Sequence, residues 1–569
     1  MKKLLQNKKY LVYLLFFMVA SISLIVSNVS YDAEYQLSMG YRLIKGDIPI
    51  LEMWEPNQTS AFLCAIIMKL YMSITGTTTG IVLFVNLMGY LIRLGIGIFL
   101  YRTLEKSVGQ TPALLAGLLY VLVGPKDILV PEYSNMELWF SMLTVLFLIQ
   151  YFEKKKIWQL ILSAICLCLG VISYPSFILT YFVVLFFLWK QESKNIRDIF
   201  IFTGVCAVLG IGYVIYLMGG NDIETILNCL SAALAIEPTH TVSATEKLWI
   251  NTKSVATIAG TVVVMLLLGF VAEIIARYMQ KSKTGSMPTF SKDRWLLFSW
   301  YALMLCFAVH ILQVVRNGFN HYPLLFMVLL GFQKRKLLTE GEKRNYYLGL
   351  SMGLMTLIST AILSDHPFIH CLPYMLTCVV FSVIPLYRWY EEMKEDQKLQ
   401  KIFVFGVHVF IVLLMFRAVY VHTPIQGRGQ AYSIVQDMAL IRTGPAMGII
   451  TDEKGAAMQR DSYAEFQEYI QPGDTIWILG EPVDTMGYLY RDVEVGAPSV
   501  MSTPTYNEKL LYYWELNPEK YPDVVIVSSG FGTLSYEMLK CEWLLNWLDQ
   551  EYQAETVIDG NYWRYYIKK

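Results

Sequence analysis

The chain has 569 residues, of which 55% are hydrophobic, 14% aromatic and only 16% charged. Soluble globular chains carry about 25% charged residues, so this balance excludes a disordered chain, a secreted disulfide scaffold and an ordinary cytosolic enzyme, and leaves a polytopic membrane protein. Lys plus Arg and Asp plus Glu both number 46, a zero balance that argues against nucleic acid as a partner.

A membrane-spanning helix needs about 20 apolar residues. Segments near 10–29, 80–101, 111–125, 136–152, 157–173, 175–189, 198–218, 254–276, 295–315, 322–333, 345–363, 371–387 and 402–420 are candidates, which makes about thirteen spans. A basic tail (Lys2, Lys3, Lys8, Lys9) precedes the first. No small-residue cleavage site follows it, so it reads as an anchor helix rather than a cleaved signal. With the N-terminus cytoplasmic, the inner loops hold Arg102 and Lys106, then Lys154, Lys155 and Lys156, then Lys190, Lys194 and Arg197. They continue with Lys281, Lys283, Lys292 and Arg294, with Lys334, Arg335 and Lys336, and with Arg388, Lys394, Lys398 and Lys401. The outer loops are poor in Lys and Arg, as the positive-inside rule requires. The apolar but short segment 59–75 reads as a juxtamembrane helix on the outer surface.

The fold expected is a polytopic α-helical membrane protein with a C-terminal extracytoplasmic α/β domain. Residues 1–424 form the transmembrane part, with a first outer region over 30–79, and 425–569 form the soluble domain. Within that domain 474–480 and 522–528 have strand character, 460–471 and 534–549 are helical, and 561–568 reads as an aromatic edge strand. Most of the nine cysteines lie in apolar runs without metal-ligand spacing and read as packing residues.

Candidate functional residues concentrate on the outer side. Asp32 and Glu34 lie within one turn of the first span's end. Partial burial there tunes a carboxylate for general-base work on a lipid-linked substrate. The competing role is capping: Asp32 or Ser30 closes a helix over 33–45, with Glu34 in its first turn. Arg42, Lys45, Glu55 and Asn57 follow in the same loop, Lys126, Asp127 and Glu132 lie between the third and fourth spans, and Arg316, His321 and Tyr322 come after the ninth. Acids, bases and His gathered at one membrane face favour an outer active site. Arg93, inside the second span, holds a lipid phosphate or pairs with a buried acid, and Asn86 on a similar helix face suits either role. His366 and His370 are four apart with Pro367 between them, and no Cys–His set accompanies them, so no metal is indicated. Phosphate-loop, dinucleotide and nucleophile-elbow motifs are lacking.

One order of residues stands out. Asp32-Ala33-Glu34-Tyr35 is followed by Arg42, by Gly46-Asp47, by Glu52-Met53-Trp54-Glu55-Pro56-Asn57 and later by Asn320-His321-Tyr322-Pro323. This order resembles the C-type fold (GT-C) glycosyltransferase superfamily, with its protein O-mannosyltransferase and aminoarabinose-transferase-like bacterial members. Two departures are visible: Ala33 splits the family's adjacent acids, and Asn57 replaces a basic residue or His.

The resemblance implies a glycosyltransferase of the bacterial plasma membrane; the sequence itself indicates no cofactor, since no Cys–His ligand set gives a reason to require a metal. The enzyme implied takes a sugar from a polyprenyl-phosphate-linked donor and inverts the anomeric carbon. The acceptor, a glycan, lipid or protein, is met on the outer face. Asp32 is then the base and Glu34 supports or shares that role. Arg42, Lys45, Lys126 or Arg316 neutralises the leaving phosphate, and His321 and Tyr322 bind phosphate or sugar. Glu55, Asn57, Arg93, Asp127 and Glu132 complete the expected substrate-binding set. The alternatives are a flippase or transporter of lipid-linked glycan and a catalytically degenerate membrane scaffold. Transporters usually show internal repeats and broken helices, and no clear repeat is present.

Overall fold

The computed structural model describes residues 8–26, 31–55, 57–124, 129–191, 196–218, 221–236, 243–311, 322–364, 367–420, 438–479, 482–501, 507–528 and 542–568. Every apolar segment expected to span holds a helix. These are α1 (Lys8–Val26), α4 (Ile81–Val108), α5 (Gln110–Leu122), α6 (Tyr133–Lys154), α7 (Ile157–Ser173), α8 (Leu179–Trp189) and α9 (Ile196–Leu217), continued by α11 (Ala244–Thr284), α12 (Lys292–Ile311), α13 (Tyr322–Lys334), α14 (Glu340–Leu363), α15 (Leu376–Glu392) and α16 (Gln397–Tyr420). Between them lie α2 (Tyr31–Lys45), α3 (Ala61–Thr75) and α10 (Ile223–Ile236). Among the described residues seven helical segments are long and apolar enough to cross a membrane, and one of these is Gln58–Thr75. The reading of 59–75 as a surface helix rested on its short length and on the loop charges, since a span here would put Arg102 and Lys106 outside; a 3-10 turn at Gln58–Ser60 lengthens it to 18 residues, which changes the first ground and leaves the second.

Large apolar side chains on these helices face outward, among them Phe200 and Val208 on α9 and Leu267 and Leu268 on α11. An apolar surface of that kind suits lipid, where only the backbone must be satisfied internally, as a helix does. The architecture is that of a multi-pass helical membrane protein with a C-terminal α/β domain.

The C-terminal part contains a sheet in the order β4-β3-β5-β7-β6. Its strands are β3 (Thr475–Leu479), β4 (Glu494–Val495), β5 (Val524–Ser528), β6 (Thr556–Asp559) and β7 (Trp563–Ile567). A separate pair, β1 (Met438–Leu440) and β2 (Ile450–Asp452), precedes it, with α17 (Glu453–Tyr469) following β2. α18 (Asn507–Leu516) and α19 (Glu542–Asn546) complete the described helices. β7 is not the edge strand that its sequence suggested. It pairs antiparallel with both β5 and β6, because the short polar-ended run at 556–559 supplies an outer neighbour that periodicity did not reveal.

The central strands are buried on both faces, which explains their continuous apolar runs. Side chains alternate along a strand, so Ile476, Ile478, Val524 and Ile526 face one core while Trp477, Leu479, Val525 and Val527 face another. The first loop contributes to both cores. Leu37, Met39 and Tyr41 of α2 join the first, and Leu51 and Trp54 join the second. The expected boundary at 424/425 lies outside the described residues.

Candidate active site

α2 carries the two expected acids in its first turn and the two expected cations in its last. Carboxylates at a helix start and cations at its end both complement the helix dipole. Asp32 lies inside the described helix, one residue after Tyr31. Asp32 and Glu34, two positions apart, point about 200° away from each other. Asp32 is half-buried and Glu34 is 2% exposed.

Asp32 meets α6. The Tyr133 hydroxyl donates to Asp32 Oδ1 at 3.3 Å. The Tyr133 ring stacks on Tyr174, with centroids 6.0 Å apart and planes at 21°. Glu132 sets the start of α6: its carboxylate accepts from the backbone N–H of Ser134 at 2.9 Å and of Asn135 at 2.8 Å, and from the Ser134 hydroxyl. The structure therefore gathers Asp32, Glu132, Tyr133 and Tyr174. A partly buried carboxylate held by a phenol is equipped to orient a hydroxyl and accept its proton.

The other end of α2 is enclosed. Arg42 is fully buried. It donates to Asp47 at 2.6 Å, Glu55 at 3.0 Å, the Pro498 carbonyl at 3.2 Å and the Tyr513 hydroxyl at 3.3 Å, and also to the Glu52 carbonyl. Burial alone would lower the guanidinium pKa, but Glu55 and Asp47 raise it well above its ordinary value, so Arg42 stays charged. Lys45 reaches Asp492 at 2.8 Å and Glu494 at 3.0 Å. Its burial also works against the charge, and the hydrogen bonds to those two acids outweigh it and raise the ammonium pKa. Reciprocally, Lys45 holds Asp492 below the usual carboxylate range. Glu55 also accepts from the Val500 N–H at 3.0 Å. Asn57 precedes the turn at Gln58–Ser60, and its carbonyl accepts from the Ser60 N–H at 2.9 Å.

Arg93 lies in the bundle, 4% exposed, and its Nε donates to the Tyr120 carbonyl at 3.2 Å. Tyr120 is in the last turn of α5, where carbonyls lack helical partners, so Arg93 caps that helix. The edge of its guanidinium abuts Gly124, where an added Cβ would come within 2.6 Å of both terminal nitrogens. Asn86 donates to the Ile25 carbonyl of α1 at 3.2 Å. Tyr322 is buried at the start of α13. Lys126, Asp127, Arg316 and His321 lie outside the described residues.

Sequence reasoning passed over two features. Lys520 bonds Asp47 at 2.6 Å and Glu494 at 3.3 Å; nothing local announces a partner so distant in sequence. Glu137, buried in α6, accepts from Ser359 and Thr360, each at 3.0 Å. An acid within an apolar span is itself a signal and would have found it. Among the described residues no His, Cys, Asp and Glu group has a metal-site arrangement.

A family model described as dolichyl-phosphate-mannose-protein mannosyltransferase matches residues 59–220. The chain resembles the C-type fold glycosyltransferases. No curated protein matches it. Among solved structures, ArnT from Cupriavidus metallidurans bound to undecaprenyl phosphate is similar at 10% identity and a TM-score of 0.46, over 98% of this chain and 97% of that one. The archaeal oligosaccharyltransferase AglB from Archaeoglobus fulgidus, in complex with an inhibitory peptide and a dolichol-phosphate, is similar at 11% identity and a TM-score of 0.43, over 95% and 72%.

Proposed function

We propose that this protein transfers a sugar from a polyprenyl-phosphate donor to an acceptor at the membrane face that carries the C-terminal sheet. The observation that carries this reading is Asp32, half-buried at the start of α2 and bonded by Tyr133. The family description of the match over 59–220 names a lipid-phosphate sugar and supports the donor class. In the step proposed, Asp32 takes the acceptor hydroxyl's proton as that oxygen attacks the anomeric carbon. The bond from that carbon to the phosphate oxygen breaks, the configuration inverts, and the polyprenyl phosphate leaves with the electron pair. Arg42 and Lys45 are committed to carboxylates at the far end of α2, so Lys126 and Arg316 are the remaining expected partners of the leaving phosphate. The Lys- and Arg-rich loops favour the opposite face as the cytoplasmic one, so the transfer proposed is extracytoplasmic, and the resemblance to bacterial members supports a bacterial plasma membrane as its place.

The test uses purified protein, radiolabelled polyprenyl-phosphate sugars and candidate acceptors. Wild type should turn over. Asp32→Asn should lose about 100-fold or more, in the range of a removed general base, with donor binding kept. Tyr133→Phe should lose less, because the carboxylate remains. Donor binding with unchanged turnover in Asp32→Asn would remove the base assignment. Failure to bind any such donor would end the lipid-phosphate reading.

A further inference from the structure

α2 is a lever with two differently held ends. Its start carries Asp32 beside Tyr133 of the membrane bundle. Its end, about 20 Å away at 1.5 Å per residue, is bolted to the C-terminal sheet. Lys520 and Arg42 hold opposite oxygens of Asp47, each at 2.6 Å, and all three side chains are at least nine-tenths buried. Lys520 also reaches Glu494, which Lys45 of α2 shares. Tyr41 adds a second fastening: its hydroxyl meets Asp492 at 3.2 Å and accepts from the Val493 N–H at 3.2 Å.

The middle of the helix is equally committed. Leu37 and Met39 share one apolar core with Ile476 and Ile526 of the sheet. A helix packed this way along its length moves as a rigid body, because interiors are close-packed and do not deform continuously. Any shift at the Asp47 seam is therefore carried to Asp32.

We propose that Arg42 and Lys520 are positioning residues, and that the C-terminal sheet sets the place of Asp32 by clamping the other end of its helix. The proposal rests on the reading that Asp32 acts on the acceptor. It gives the C-terminal domain a part in the reaction without requiring that the domain touch donor or acceptor.

The experiment compares Lys520→Met, Lys520→Arg and Tyr513→Phe in the full-length protein. Tyr513→Phe removes a hydroxyl that bonds both Arg42 and the Glu52 carbonyl, and serves if Lys520→Met does not fold. Turnover should fall about 10- to 100-fold in Lys520→Met, the cost of displacing a reacting group by about 1 Å. The donor KM should stay within about two-fold, since this change misplaces a group instead of removing a donor contact. Lys520→Arg, which keeps the charge, should recover most of the loss.

Amide exchange supplies a readout that needs no activity. In Lys520→Met, residues 33–41 should lose protection by about ten-fold while 475–479 keep theirs, as local opening requires. A folded Lys520→Met with wild-type turnover, or a rise in donor KM alone, would overturn the positioning role. If wild type itself lacks turnover, the proposed reaction fails and exchange decides the clamp: unchanged protection over 33–41 overturns it.

Discussion

Lys520 Nζ stands 2.6 Å from Asp47 Oδ1 across 473 positions of sequence. Arg42 holds the other oxygen of the same carboxylate. Two cations and one acid, with Glu55 balancing the second cation, are thus withdrawn from water where the first loop meets the C-terminal sheet. A buried set of this kind adds little net stability over an apolar replacement, yet breaking it is costly because an uncompensated charge is left behind.

Arg42→Met should therefore destabilise the protein by about 3–5 kcal/mol, because Asp47 and Glu55 lose their shared partner. Denaturant or thermal unfolding of the detergent-solubilised protein measures it. A loss below about 1 kcal/mol, the value of an exposed pair, would mean that water reaches the seam.

The rim of the same seam sets a pH window. Asp492 is held below its ordinary pKa of 3.8 by Lys45, so its contribution is present above 3.8 and is lost as pH falls through the lowered folded value. Lys45 is raised above its ordinary 10.5 by Asp492 and Glu494, which outweigh its burial. Its contribution is full below 10.5 and is lost as pH rises through the raised folded value. Resistance of the C-terminal sheet to proteolysis should be flat between those limits and fall outside them. Asp492→Asn should blunt the acid limb, and an unaltered acid limb in that variant would exclude this pair as its origin.

Gly89 lets α4 approach the segment that leads into Tyr133. A Cβ there would fall 1.8 Å from the Leu129 carbonyl oxygen, which is backbone and cannot swing aside. Gly89→Ala should cost at least the 1–3 kcal/mol typical of overpacking, as an order of magnitude, and should disturb Tyr133 and hence turnover. Gly95→Ala, on the same helix with open space at its Cβ, should be neutral or stabilising by up to about 1 kcal/mol. Equal effects of the two changes on melting temperature would refute the steric account.

Glu137 ties α6 to α14 by accepting from Ser359 and Thr360. Glu137→Gln keeps one carbonyl acceptor and should cost about 0.6 kcal/mol, the average for such bonds inside membranes. Glu137→Leu leaves both hydroxyls without that acceptor and should cost about 1–3 kcal/mol. If both variants melt with the wild type, the hydrogen bonds contribute nothing measurable.

The helices were legible because the requirement is local. A stretch that must satisfy its own backbone in lipid declares itself by length and apolar character, and each expected segment from 10–29 to 402–420 holds a helix. β3 and β5 were legible as apolar runs between turns. β6 was not, since Thr556–Asp559 is four residues long and gains its place only by pairing with β7.

The site was legible in part. The signature around Asp32 and Glu34 was readable as composition at a membrane boundary, and the acids do start α2. Their division of surroundings was not readable, because a two-residue offset sends them to different sides of a helix whose neighbours come from elsewhere. Arg42 and Lys45 looked like free cations for a phosphate. In the folded chain they meet Asp47, Glu55, Asp492 and Glu494.

The sequence by itself determined the class of protein, the helical segments and the charge asymmetry of the loops. All of these follow from solvation and from periodicities within one helix or strand. Only the tertiary structure decided that Tyr133 holds Asp32, that Arg93 caps α5, and that the first loop packs against both faces of the C-terminal sheet. Those pairings join residues far apart in the chain. They depend on which surfaces exclude water together, and a linear pattern does not encode that.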